Sequence, residues 1–312
     1  MSQKRKQKEK RRAPRQQAAR KQQRALVQRD ADGRAHLVIQ RDAAGRVAAL
    51  ALSRPLFDQD WQNQVTVAAA STAHGILSDG PSAERAVELG QSAMAGTSTI
   101  ADGLLARSPQ RGVACGAGCA HCCYQAVGVT APEVLTIYAH LRATRAPEAY
   151  AATAARIRDL DQRTRGMTSA ERLSPELPCP FLEAERCSIY EVRPLACRGK
   201  NSLDAEACER SLRDPGTRAE FLAGRFTVPC FVEPLRAFHA VTAGLQLALD
   251  ELHGLKVTPL ELTAAMRVVI DDPDVTARRW LAGEDPFAPA RGADASRNDH
   301  VGALVGWRRA DG

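Results

Sequence analysis

The feature that most constrains this chain is a run of four cysteines within nine residues, from Cys115 to Cys123. The run contains Gly116 and Gly118, which allow the tight backbone turns that several converging sulfurs need. A thiolate is a strong ligand for zinc and iron, and ligands close in sequence lose little chain entropy when a metal ion gathers them. The segment therefore predicts a metal-binding loop.

A second set of cysteines follows after a long gap and consists of Cys179, Cys187, Cys197 and Cys208. Eight clustered thiols could build two four-thiolate sites, one iron–sulfur cluster plus one zinc site, or one site with spare thiols. Adjacent side chains point in different directions, so Cys122 and Cys123 are expected to serve two centres, or one binds while the other lies beside the site. The ninth cysteine, Cys230, follows Thr-Val-Pro and precedes Phe-Val, a context that predicts a small buried hydrophobic residue.

Composition favours a helical chain in a reducing compartment. Alanine, leucine and arginine are abundant, which favours helix. No apolar run approaches the roughly 18 residues that would suggest a membrane span, and the N-terminus lacks the apolar core of a secretory signal. These observations predict a cytoplasmic protein that does not enter a membrane. Thiols stay reduced in the cytoplasm, and the chain has an odd number of cysteines, nine. Metal binding is therefore favoured over a disulfide framework.

The positive charge of the chain is concentrated in its first 24 residues. That segment holds eleven lysines and arginines and one acidic residue, so its net charge is +10 against +7 for the whole chain, which leaves −3 for the remainder. Its Gln, Lys and Arg content cannot bury a core, so residues 1–24 are expected to be disordered in isolation. Such a tail could contact nucleic acid or an acidic partner, or could simply aid solubility.

Local patterns predict a mainly α protein with a cysteine-rich loop domain stapled by metal. Two apolar runs on either side of Asp42 to Gly45 predict a small β-hairpin near residues 36–52. Helices are predicted over residues 60–78, 81–107, 147–165 and 234–253. Capping-box patterns at Thr130 to Glu133 and at Thr258 to Glu261 predict two further helix starts, the second helix ending near Ile270.

These elements suggest a division of the chain into five parts. They are a disordered basic tail (1–30), the hairpin plus an antiparallel helical pair (31–108), a cysteine-cluster metal-binding domain (109–232), C-terminal helices that pack on the core (233–282) and a flexible tail (283–312).

Several spaced blocks resemble one known family. They are the loop from Cys115 to Cys123 and the segments Cys179-Pro-Phe-Leu, Cys187-Ser-Ile-Tyr and Arg193-Pro-Leu-Ala-Cys197-Arg198. Over residues 112–210 the chain resembles the cysteine-cluster proteins described as zinc- or iron-chelating domains (the YkgJ-like family). The resemblance implies that the clustered cysteines are metal ligands, namely Cys115, Cys119, Cys122, Cys123, Cys179, Cys187, Cys197 and, as the extra cysteine of some members, Cys208.

One coincidence of spacing favours an enzyme. Cys115, Cys119 and Cys122 are separated as are the cysteines by which radical S-adenosylmethionine enzymes hold a four-iron cluster. The family also looks related to a flagellin lysine N-methylase that carries a cysteine cluster. Against an enzyme, His121 stands where an aromatic residue usually precedes the third cysteine, and no glycine-rich segment suits a nucleoside cofactor. We expect His121 to lie near the metal without binding it, or in solvent.

Two arginines flank Cys197 and admit two interpretations. Near a multi-thiolate site, Arg193 and Arg198 could offset negative charge or bind an anionic substrate. They could equally form ion pairs with glutamates of the same region, namely Glu183, Glu185 or Glu191.

Three functions stay open at the level of the sequence. The first is a metal-binding protein that holds zinc or iron in a structural or metal-handling role. The second is an iron–sulfur enzyme, with S-adenosylmethionine-dependent methyl transfer as the reaction. The third is a nucleic-acid-binding module in which the metal only staples the fold and the basic tail binds.

Overall fold

The computed structural model describes residues 35–107, 112–173 and 176–291. The predicted basic tail of residues 1–24 lies outside these ranges. The fold is mainly α, with short antiparallel strand pairs, as predicted. The helices are α1 (Asp60–Leu77), α2 (Ala83–Ala106), α3 (Ala131–Thr144), α4 (Pro147–Thr164), α5 (Ser169–Leu173), α6 (Leu195–Gly199), α7 (Ala205–Arg213), α8 (Pro215–Leu222), α9 (Val232–Glu251), α10 (Leu262–Asp271) and α11 (Pro273–Leu281).

Three strand pairs accompany the helices. They are β1 (Leu37–Arg41) with β2 (Val47–Leu52), β3 (Gly128–Val129) with β6 (Leu260–Glu261), and β4 (Leu182–Glu183) with β5 (Arg186–Cys187). The first pair is the predicted hairpin, in register from Leu37 opposite Leu52. Its turn is closed by Asp42, whose Oδ1 accepts from the backbone N–H groups of Ala44 and Arg46, both at 2.9 Å. Gly45, at φ +81°, supplies the left-handed residue of the turn.

The predicted capping box at Thr130 is confirmed and begins α3. Glu133 Oε2 accepts from the backbone N–H of Thr130 at 2.8 Å, while the Thr130 side chain covers the N3 amide. The same pattern at Thr258 predicts the wrong start for α10. There Leu260 and Glu261 pair with β3, and Glu261 caps the helix by accepting from Ala264 N–H at 2.9 Å. Strand pairing thus moves the helix start beyond the local signal.

Close packing of helices fixes the core. Helix α1 lies mainly against α9, where Gly244 allows the contact because a Cβ there would lie 2.7 Å from Ala69 Cβ. Helix α2 lies against α3, where a Cβ on Gly90 would lie 2.6 Å from the Pro132 carbonyl oxygen. Glycines at these two positions let the helix backbones approach more closely than larger side chains permit.

One hydrophobic core extends from Ala35 to Ala290 and includes Phe181, Ile189 and Leu195 from the cysteine-bearing segments. The cysteine loops therefore rest directly on the helical body. Although the sequence favours a flexible tail from residue 283, Phe287 is buried in this core. None of the helices in the described ranges combines the length and apolarity needed to cross a bilayer.

Candidate metal centre

The first cysteine loop is a series of tight turns. The Cys119 N–H donates to the Gly116 carbonyl at 3.1 Å, and Gly118 adopts φ +91° to close this turn. A 3₁₀ helix (His121–Tyr124) follows and contains Cys122 and Cys123. The glycine therefore has the conformational role that the sequence predicts. His121 opens the 3₁₀ helix and is half-buried.

The two sets of cysteines meet through the backbone. The Cys179 N–H donates to the Cys123 carbonyl at 2.7 Å, which joins chain segments more than fifty residues apart. The buried Arg172 holds the same junction, since its Nη1 donates to the Leu177 carbonyl at 2.7 Å and to the Tyr124 carbonyl at 3.3 Å. The structure thus brings the first loop and the second set into one region.

The other members of the second set lie on short elements nearby. Cys187 lies on β5, opposite Leu182 of β4. Cys197 lies on α6, whose first N–H group, on Leu195, donates to Glu133 Oε1 at 2.8 Å. Glu133 therefore connects the start of α3 to the helix that carries Cys197. Burial raises the pKa of the Glu133 carboxyl. The hydrogen bonds from Leu195 and Thr130 lower it, but by less than burial raises it.

The vicinal thiols contact each other. Cys123 and Cys122 share a side-chain hydrogen bond, which lowers the pKa of Cys122 to about 6 and raises that of Cys123. Positive charge on Lys200 and Arg193 also lowers the pKa of Cys122. As a residue, Cys122 is exposed, whereas Cys123 is half-buried, so Cys122 lies on the solvent side of the pair.

Burial is the largest influence on the pKa values of Cys179, Cys187 and Cys197. Desolvation raises the pKa of Cys179 to about 12, and it raises the pKa values of Cys187 and Cys197 as well. Neighbouring thiolate charges raise all three further, with Cys187 acting on Cys179 and Cys179 acting on Cys197. These thiols are protonated at neutral pH unless a cation offsets their charge, so metal binding must release protons.

Two arginines and a lysine supply positive charge beside the thiols. Arg193 stacks on the exposed Tyr190 at 4.4 Å from the ring centroid, and its charge lowers the pKa values of Cys187 and Cys197. Arg198 is fixed by donating to Ser98 Oγ at 2.6 Å. Within the described ranges neither arginine pairs with a carboxylate of the three nearby glutamates, and Glu183 instead binds Arg145 at 3.0 Å. The arrangement favours the charge-offsetting role.

Cys208 and Cys230 lie at the edge of the same region. Cys208 is half-buried on α7, and burial raises its pKa, as do the charges of Cys115 and Cys119. The expectation that Cys230 is buried in the core is wrong, because the residue is exposed. Its neighbour Phe231 is buried instead. In extended backbone successive side chains face opposite sides, so burial of Phe231 turns Cys230 outward.

The donor set suits zinc or iron by its chemistry, since soft thiolates select these metals. Across the part of the chain that the structure describes, no three His, Cys, Asp or Glu side chains stand close enough together to hold a metal ion as they are. A bound metal would therefore have to draw the sulfurs together from their present neighbourhood.

Comparison with known families agrees with this chemistry. Residues 114–214 match the model of a family described as "Putative zinc- or iron-chelating domain". The match confirms the resemblance found in the sequence and spans eight of the nine cysteines, leaving out Cys230. The chain matches no curated protein and no solved structure.

Proposed function

We propose that this protein binds zinc or iron through clustered cysteine thiolates and that the metal has a structural or metal-handling role. The ligands are drawn from Cys115, Cys119, Cys122, Cys123, Cys179, Cys187, Cys197 and Cys208. A bound divalent cation would neutralise the thiolates and join loops that are distant in sequence.

One observation carries this proposal, namely the junction between the two cysteine sets. The Cys179 N–H bonds to the Cys123 carbonyl, and the thiols of Cys123, Cys179 and Cys197 interact electrostatically. Cysteines that served only as small core residues would have no reason to gather from three separate segments. Nor would they have cationic side chains such as Arg193 beside them.

Residues that are not ligands hold the cysteine-bearing segments in place. Arg172 braces the backbone on both sides of the junction, and Glu133 holds the first turn of α6. Arg193 and Lys200 place positive charge beside Cys122, which would offset part of the net negative charge of a multi-thiolate centre.

Metal analysis of the full-length chain, purified anaerobically, tests the proposal. We expect zinc or iron near one equivalent or more per chain, as measured by inductively coupled plasma mass spectrometry. Cys179→Ser and Cys197→Ser should each lose about half or more of it, because each removes a thiolate from the junction. Absorbance near 400 nm in the same sample would identify an iron–sulfur cluster.

A matched control separates lost ligands from lost stability. Ile157 is fully buried in α4, so Ile157→Ala should cost about 2–5 kcal/mol of folding free energy. Its folded fraction should nevertheless keep the wild-type metal content. A wild-type chain without zinc or iron, or cysteine variants with unchanged metal, would contradict the proposed function.

A further inference from the structure

Ser202 is a shared neighbour of three thiols from three segments. Its backbone N–H donates to Cys115 Sγ at 3.2 Å, and its side chain is hydrogen-bonded to the Cys208 thiol. Its backbone also pairs with Cys230 in an isolated antiparallel bridge. These contacts place the start of the first loop, helix α7 and the segment before α9 around one residue.

Backbone hydrogen bonds fix this arrangement on both sides of Ser202. The Ala114 N–H donates to the Ser202 carbonyl at 2.7 Å, so the first loop is anchored directly before Cys115. The Leu203 N–H donates to the Pro229 carbonyl and the Phe231 N–H to the Asn201 carbonyl, both at 2.8 Å, which holds Cys230 between them. The position of Cys230 is therefore set by the fold, although the residue is exposed.

Hydrogen bonds around Ser202 and the hydrogen bond from Cys179 to Cys123 place the thiols in two groups, one at each of these contacts. The charge on Cys208 interacts with those on Cys115, Cys119 and Cys230, and Cys115 interacts with Cys119 and Cys230 in turn. The second group is formed by Cys123, Cys179, Cys187 and Cys197, linked through Cys179 and Cys197. The charge on Cys122 acts on members of both groups.

We propose that the first group is a separate four-thiolate metal site and that Cys230, which lies outside the family match, completes it. The site consists of Cys115, Cys119, Cys208 and Cys230 and takes zinc or iron(II). This inference rests on the proposed function and extends it to two centres in one chain. Each thiol gives up its proton to solvent as its sulfur binds the cation, and four sulfurs meet the tetrahedral preference of such an ion.

Stoichiometry in single variants tests the two-centre arrangement. The full-length wild type should hold about two metal ions per chain, while Cys230→Ser and Cys187→Ser should each hold about one, because each removes a ligand from a different centre. Val232→Ser is the matched control, since Val232 is exposed and two residues from Cys230. It should keep the wild-type content. A circular dichroism spectrum unchanged in Cys230→Ser would show that the fold survives.

A second variant keeps the inference testable if serine disturbs the loop. Cys230→His supplies another zinc ligand, so the two-metal content should be restored. After substitution with cobalt(II), its sulfur-to-metal absorption should fall by about one part in eight, as one of eight thiolate bonds is lost. Retention of both metals in Cys230→Ser would overturn this inference and leave the proposed function intact, and so would loss of both in that variant. A wild type without metal would overturn both proposals.

Discussion

Replacing Glu133 by alanine should destabilise the fold by about 4 kcal/mol. The side chain is only 2% exposed, and it accepts three hydrogen bonds of 2.8 Å, two from Thr130 and one from the Leu195 N–H. Truncation leaves the buried N–H groups of Thr130 and Leu195 without acceptors, and each such group costs about 1–3 kcal/mol. Against a typical total stability of 5–15 kcal/mol, a loss of about 4 kcal/mol is large.

Urea denaturation followed by circular dichroism measures this loss, with metal content matched between variants. The midpoint should fall while the slope stays constant, because the surface exposed on unfolding does not change. Thr130→Val removes one of the three bonds to Glu133 together with the side-chain cap of the N3 amide, and it should cost about 2 kcal/mol. Glu148 is the control: it also lies in the first turn of a helix, but it is exposed, so Glu148→Ala should change stability by less than about 0.5 kcal/mol.

The two alanine variants should also differ in how fast Cys197 is alkylated. Loss of the Leu195 anchor should loosen α6, so Cys197 should react faster with an alkylating reagent in Glu133→Ala than in Glu148→Ala. Equal stabilities and equal alkylation rates in the two variants would refute the reasoning, because Glu133 would then be no more than a surface helix cap.

Three further outcomes follow from the same structure. The hydrogen bond with Cys123 lowers the pKa of Cys122. In metal-free protein, peptide mass spectrometry should therefore show Cys122 alkylated at a lower pH than Cys179, whose pKa burial raises. Gly244→Ala should lower the melting temperature sharply, because its Cβ would clash with the Thr66 carbonyl oxygen. Gly75 has open space around it, so Gly75→Ala should instead stabilise the protein, by about 0.5–1 kcal/mol. Chelation should increase hydrogen exchange more in the cysteine-bearing loops than in the hairpin; equal increases would contradict a local structural role for the metal.

The sequence encodes the elements whose signals are local. The turn around Asp42 and the capping box at Thr130 are complete within a few residues, and both form as predicted. The capping pattern at Thr258 is equally complete, yet α10 begins at Leu262. The difference arises because Leu260 and Glu261 pair with β3, more than 100 residues away, and no local pattern reports such a partner.

The candidate site shows the same division. The spacing of the cysteines and their flanking residues is sufficient to find the resemblance to the family whose model matches residues 114–214. The sequence does not predict the exposure of Cys230, because its apolar neighbours are typical of a buried core segment. What turns it outward is the antiparallel bridge to Ser202 together with burial of Phe231. Grouping of thiols around Ser202 likewise depends on contacts between distant segments.

X-ray absorption at the metal edge tests the central claim most directly, because it reports the atoms bound to the metal in the full-length protein. Thiolate coordination predicts a first shell dominated by sulfur at about 2.3 Å for zinc, with an intensity that falls in Cys179→Ser. A first shell made only of nitrogen and oxygen at about 2.0–2.1 Å would contradict it, since the metal would then be bound elsewhere than by the clustered cysteines.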